Sequence, residues 1–83
     1  NQGASTAQNN LGLIYFDGLN GIEKNISKAI KFWELAANQA NSMAQFLLGG
    51  IYFNGENGIE KNAEKAIKFW ELAANQGDSI AQN

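Results

Sequence analysis

The feature that most limits what this chain can fold into is that it repeats itself. Offset by 37 positions, the sequence agrees with itself at 32 of 46 residue pairs, so the unit to explain is the repeat and not the chain. Asn20-Gly21-Ile22-Glu23-Lys24-Asn25 returns as Asn57-Gly58-Ile59-Glu60-Lys61-Asn62, and Lys28 to Gln39 returns unchanged as Lys65 to Gln76. A period of about 20–50 residues marks an array of small units, each unable to bury its apolar face alone. That locality matters here, because so short a chain buries only about 60% of its unfolded surface and needs near-neighbour contacts to hold it.

Each unit reads as two helices. Ala29, Phe32, Trp33, Ala36 and Ala37 fall at i, i+3, i+4, i+7 and i+8, the stripe of an amphipathic helix, with Lys28, Lys31, Glu34 and Asn38 opposite. Ile30 and Leu35 widen the apolar arc on both sides and predict contact with more than one neighbour. Asn25 and Asn62 are placed to cap this helix in the two copies. The preceding helix is predicted over about Ser5 to Asp17 and again over about Ser42 to Asn54, the second opened by Asn41. Gly12 and Gly49 inside it cost about 1 kcal/mol each relative to alanine, so their recurrence predicts close approach of a large ring. Gly18 and Gly55 sit where a helix end requires a left-handed residue. Ile22 and Ile59 are expected to plug the loop into the core.

Composition then removes whole classes of function. The chain has no cysteine and no histidine, which takes away thiolate nucleophiles, the commonest metal ligand and the side chain best suited to proton transfer near neutral pH. All six basic residues are lysines and the net charge is −2, so neither arginine forks nor a basic surface favours nucleic acid. No apolar run approaches the roughly 18 residues of a membrane span. Nothing in the sequence forms a catalytic, cofactor or metal site. Glu23, Glu34, Glu60 and Glu71 recur on polar faces, where a solvated surface is the expectation, and Gly49-Gly50 lies inside a helix, unlike a phosphate loop.

Ala44, Gln45, Leu48, Gly49, Tyr52 and Gly55, then Gly58-Ile59 and Asn62, then Ala66, Phe69, Trp70, Ala73, Ala74, Gln76 and Gly77 carry a resemblance. With the matching residues of the first copy from Ala7 to Gln39, the chain resembles the Sel1-like repeat family, a relative of the tetratricopeptide arrays, whose usual period is 34 residues. Three departures stand out: Phe-Trp where the aromatic pair usually begins with Trp or Tyr, asparagine for the loop aspartate at Asn25 and Asn62, and one extra loop residue. The resemblance implies an all-α fold, a right-handed α/α superhelix (solenoid) of antiparallel helix pairs, acting as a scaffold or adaptor for protein partners. A cysteine-rich subgroup was suspected of β-lactamase activity, and a chain without cysteine gives that reading no support. Self-assembly of the repeat module is the other alternative.

The two copies differ in an informative pattern. In the first helix the differences are Thr6/Met43, Asn9/Phe46, Asn10/Leu47, Leu13/Gly50 and Asp17/Asn54, which share one arc about 100° wide, whereas the second helix is identical from Lys28 to Gln39. By resemblance the first helices line the concave surface. These ten residues are therefore the expected partner-binding positions, receiving an amphipathic helix or an extended peptide, with Ile80 continuing the row. The competing expectation is that Phe46 and Leu47 simply pack on an adjacent repeat.

The register divides the chain into repeat 1 at about 4–40, repeat 2 at about 41–77 and the start of a third unit at 78–83. It reads as a sample of a longer array without polar caps, for which end-to-end or swapped self-association is the expectation.

Overall fold

A computed structural model describes the backbone of residues 2–55 and 58–82, and the side chains of residues 3–55 and 58–76. Its elements are four helices: α1 (Gln2–Asp17), α2 (Ile26–Asn38), α3 (Ser42–Asn54) and α4 (Ala63–Gln82). The described residues form no strand, and the fold is an all-α, solenoid-like stack of two helix pairs.

Helix starts are set by the asparagines. The side chains of Asn25, Asn41 and Asn62 accept from the backbone N–H groups of Lys28, Ala44 and Lys65 at 3.1, 2.9 and 3.0 Å, satisfying donors the first turn leaves open. Helix ends are set by left-handed residues. Gly18 and Gly55 have φ of 68° and 62°, a conformation that costs a side-chain-bearing residue about 1–2 kcal/mol. In the first copy the Gly18 N–H donates to the Ile14 carbonyl at 2.8 Å, and its counterpart at Gly55 donates to Ile51 at 2.9 Å.

Within each pair the helices run antiparallel, because contacts that rise along one helix fall along the other. Tyr15 stacks on Phe32 at 5.8 Å, while Gln39 Nε2 donates to Gln8 Oε1 at 2.7 Å at the far end. The second copy repeats both, with Tyr52 on Phe69 at 6.1 Å and Gln76 on Gln45 at 2.6 Å. The glycine expectation holds: a Cβ on Gly12 would lie 2.7 Å from Trp33 Cε2 and closer still to Nε1 and Cδ1, and Trp70 presses on Gly49 in the same way. Each indole N–H then donates to a carbonyl of the first helix, Trp33 to Asn9 and Trp70 to Phe46, both at 3.1 Å.

The units meet where α2 packs on α3. Ala29, Ile30, Trp33, Ala36 and Ala37 of α2 form one core with Ala44, Leu48 and Ile51 of α3. Gln45 Nε2 crosses that boundary to the Ala37 carbonyl at 3.2 Å. The four helices make a slab of 40 × 29 × 16 Å, whose thin dimension is two helix layers.

Three expectations need correction or comment. α2 does touch two neighbours, α1 and α3, as expected, but Leu35 takes no part and stays exposed, the contact with α3 running through Ile30 and the small-residue stripe. Ile22 is also exposed; the loop is pinned by backbone instead, with the Asn25 N–H donating to the Tyr15 carbonyl at 2.7 Å, while Ile59 is partly buried against the core. Across the expected boundary at Asp78 the backbone of α4 continues as one helix to Gln82.

Between α2 and α3, Ala40 has φ of 64°, a left-handed position occupied by a residue that resists it. Its counterpart in the repeat is Gly77. Ala40→Gly is expected to stabilise the chain by about 1 kcal/mol, a rise of about 4–8 °C in Tm for a domain this size, measured by thermal melting. An unchanged or lower Tm would show that the turn is not strained.

Candidate interaction groove

A crevice opens between α1 and α3, the first helices of the two units. Leu13, Phe16 and Asp17 form one wall, Leu47, Gly50, Ile51 and Asn54 the other, and Trp33 of α2 lies at its base, enclosing about 320 Å³. Gly50 makes the depth. A Cβ there would meet nothing within 4 Å, in contrast to Gly49 one residue earlier, whose missing Cβ is occupied by the Trp70 ring.

The ends of the crevice differ electrically. Asp17 and Asn54 are the last residues of α1 and α3, so the C-terminal ends of two helices and one carboxylate gather at that end. A helix C-terminus carries roughly half a negative charge, and the chain as a whole is negative. The interior is apolar, built from Leu13, Phe16, Trp33, Leu47 and Ile51.

Five of the ten expected positions come together in this groove: Leu13, Asp17, Leu47, Gly50 and Asn54. Thr6, Asn10, Met43 and Phe46 are exposed outside it. Asn9 departs from the expected exposed arc. It is only 8% exposed, and its Oδ1 has no hydrogen-bond partner, whereas its counterpart Phe46 is 59% exposed. The physical reason is position in the stack: two residues at one place in the repeat differ in burial because a unit follows the first of them. Leu47 is partly buried against the core while Phe46 stays exposed, and Ile80 lies outside the described side chains.

Phe16, Trp33 and Ile51 belong to the groove although the sequence comparison did not single them out. Phe16 tilts on Trp33 at 5.3 Å, and it is this pair that keeps the base apolar. Trp33 stood in the amphipathic stripe as a packing residue, and Phe16 and Ile51, each identical to its counterpart in the other copy, offered no difference to mark them. Lys28 and Lys65 likewise lie over the rings of Tyr15 and Tyr52, 4.9 and 4.5 Å from their centres, and are not merely solvated. Among the described residues no group of three or more acidic, cysteine or histidine side chains could hold a metal ion, and no helix is long and apolar enough to cross a membrane.

Comparison with known proteins decides the family. The profile of the Sel1 repeat matches residues 5–41 and again 42–78. The chain belongs to the Sel1 repeat family. Among solved structures, a protective antigen present in uropathogenic Escherichia coli strains, displaying an SLR fold, superposes with a TM-score of 0.82 at 42% identity. That match covers 98% of this chain and 17% of the antigen, so the chain spans about a sixth of the length of that protein. No curated protein matches the chain. Sel1 repeats are in general scaffold modules for protein interactions, built on a helical repeat architecture of a non-catalytic kind.

Proposed function

We propose that this Sel1 repeat segment binds a peptide in the crevice between α1 and α3, on the inner face of the stack. The observation that carries the reading is the combination of an apolar, Trp-based depression opened by Gly50 with an electronegative end at Asp17 and Asn54. That combination suits a segment that inserts a leucine-sized side chain beside Gly50 and places a lysine or arginine toward Asp17. Thr6, Asn10, Met43 and Phe46 would extend the contact beyond the crevice.

Gly50→Ala is the sharpest test, because it separates binding from folding. A methyl group there meets no neighbour, so the variant is expected to gain up to about 1 kcal/mol of helix stability while filling the crevice. Fluorescence anisotropy with labelled amphipathic peptides, one basic and one with its lysines changed to glutamate, should show the basic peptide binding and Gly50→Ala weakening it about tenfold. Equal binding of both peptides, or an affinity indifferent to Gly50→Ala, would remove the groove from the function.

A further inference from the structure

Asn-Gly is the dipeptide in which a backbone most readily reacts with its own side chain, and it occurs three times, at Asn20-Gly21, Asn54-Gly55 and Asn57-Gly58. Glycine leaves the nitrogen that follows the asparagine unshielded, so that nitrogen can approach the side-chain amide carbon closely. The fold treats these steps differently. Asn20 and Gly21 have φ of 56° and 79°, and the Ile22 N–H donates to the Leu19 carbonyl at 3.0 Å, the pattern of a type I′ turn. Both central residues are exposed, the Gly21 N–H has no hydrogen-bond partner among the described residues, and a Cβ on Gly21 would meet nothing within 4 Å. At the second step Asn54 closes α3, and the Gly55 N–H is engaged in donating to the Ile51 carbonyl at 2.9 Å. Lys61 crowds that glycine, its nitrogen 2.9 Å from where a Cβ would stand. Asn57 lies outside the described residues.

We propose that Asn20 is a self-modification site, at which the amide on the first loop is converted to aspartate and isoaspartate with release of ammonia. The Gly21 nitrogen, its proton lost to hydroxide, attacks Cγ of Asn20; the new N–Cγ bond forms, the bond from Cγ to Nδ2 breaks, and ammonia leaves with a proton returned by water. A five-membered succinimide remains. Water then opens it, at Cγ to give aspartate or at the backbone carbonyl carbon to give isoaspartate, in which the main chain runs through Cβ and Cγ. To reach Cγ, Asn20 must rotate out of its left-handed conformation, which gives up only the bond from Ile22 to Leu19, whereas Asn54 must open the end of a helix. Local opening sets the order. Either product adds one negative charge to a chain whose net charge is −2. Aspartate tolerates the left-handed turn as asparagine does, whereas isoaspartate lengthens the backbone and unseats it. The Asn25 N–H, bonded to the Tyr15 carbonyl at 2.7 Å, still fixes the start of α2.

The test is to incubate the whole chain at mildly alkaline pH and follow each asparagine by peptide mass spectrometry, with isoaspartate read by an isoaspartyl methyltransferase and labelled S-adenosylmethionine. Asn20 is expected to convert at least about tenfold faster than Asn54, at a rate that rises with pH, and to give both products. In guanidinium chloride the two rates should converge, because the fold is what separates them. Gly21→Ala, whose methyl group shields the attacking nitrogen, should slow conversion at Asn20 several-fold. Conversion at Asn54 as fast as at Asn20, an order unchanged on unfolding, or aspartate formed with no isoaspartate would each overturn the proposal.

Discussion

Trp33→Ala is expected to remove a large share of the stability of this chain, whereas Trp70→Ala, the same change in an identical local sequence, is expected to cost clearly less. Trp33 is among the largest fully buried side chains and lies at the centre of the core shared by α2 and α3. Truncating a buried aromatic ring to alanine costs about 3–5 kcal/mol, against about 4–12 kcal/mol of total stability expected for 83 residues. The cost has two parts, lost apolar burial and a cavity bounded by Gly12, which has no side chain with which to refill it. Trp70 keeps the analogous ring contact with Phe53 at 5.2 Å and the analogous indole bond, yet it is only half-buried, so less is forfeited. Urea unfolding of both variants measures the difference. Equal losses would mean that the boundary between the units adds nothing to the burial of the first tryptophan.

The second large effect has an unusual sign. Gly→Ala inside a helix ordinarily gains up to about 1 kcal/mol, and Gly50→Ala follows that rule. Gly12→Ala is expected to break it, because the added methyl would overlap the Trp33 ring, and the indole must either shift or give up its bond to the Asn9 carbonyl. Overpacking in a filled core typically costs about 1–3 kcal/mol, which exceeds the helix gain, and Phe16, one turn along α1, already packs on the same ring. Near-ultraviolet circular dichroism would show the displaced tryptophan, and the urea midpoint would fall. A Gly12→Ala chain as stable as the parent would mean that the ring yields without loss.

What could be read from the sequence was what local backbone chemistry dictates, and repetition sharpened it. An asparagine before a helix caps it wherever it stands, as Asn25, Asn41 and Asn62 do, and a recurring helix glycine announced the ring that covers Gly12 and Gly49. What escaped the reading depends on which unit lies next door. Asn9 and Phe46 occupy the same place in the repeat, but one is covered by the following unit and the other is not. No property of either residue reveals that. The groove was half legible for a related reason: its variable wall, with Leu13, Leu47 and Gly50, showed as a difference between copies, while Phe16, Trp33 and Ile51 were hidden by their sameness. Ile22 illustrates the remaining error: the same backbone bond closes both loops, from Asn25 to Tyr15 and from Asn62 to Tyr52, yet only Ile59 packs on the core while Ile22 stays exposed.

Gln45 carries a consequence for the geometry of any longer stack. One amide takes a bond from α4 through its oxygen and gives one to α2 through its nitrogen, so a single planar group spans three helices and two units. An amide bonded at both ends favours the spacing and orientation that keep both bonds well aligned, a directional demand added to the close packing between the units. A change at Gln45 is therefore expected to alter how one helix pair is set on the next, and with it the curvature of a longer array, while leaving the helices themselves intact.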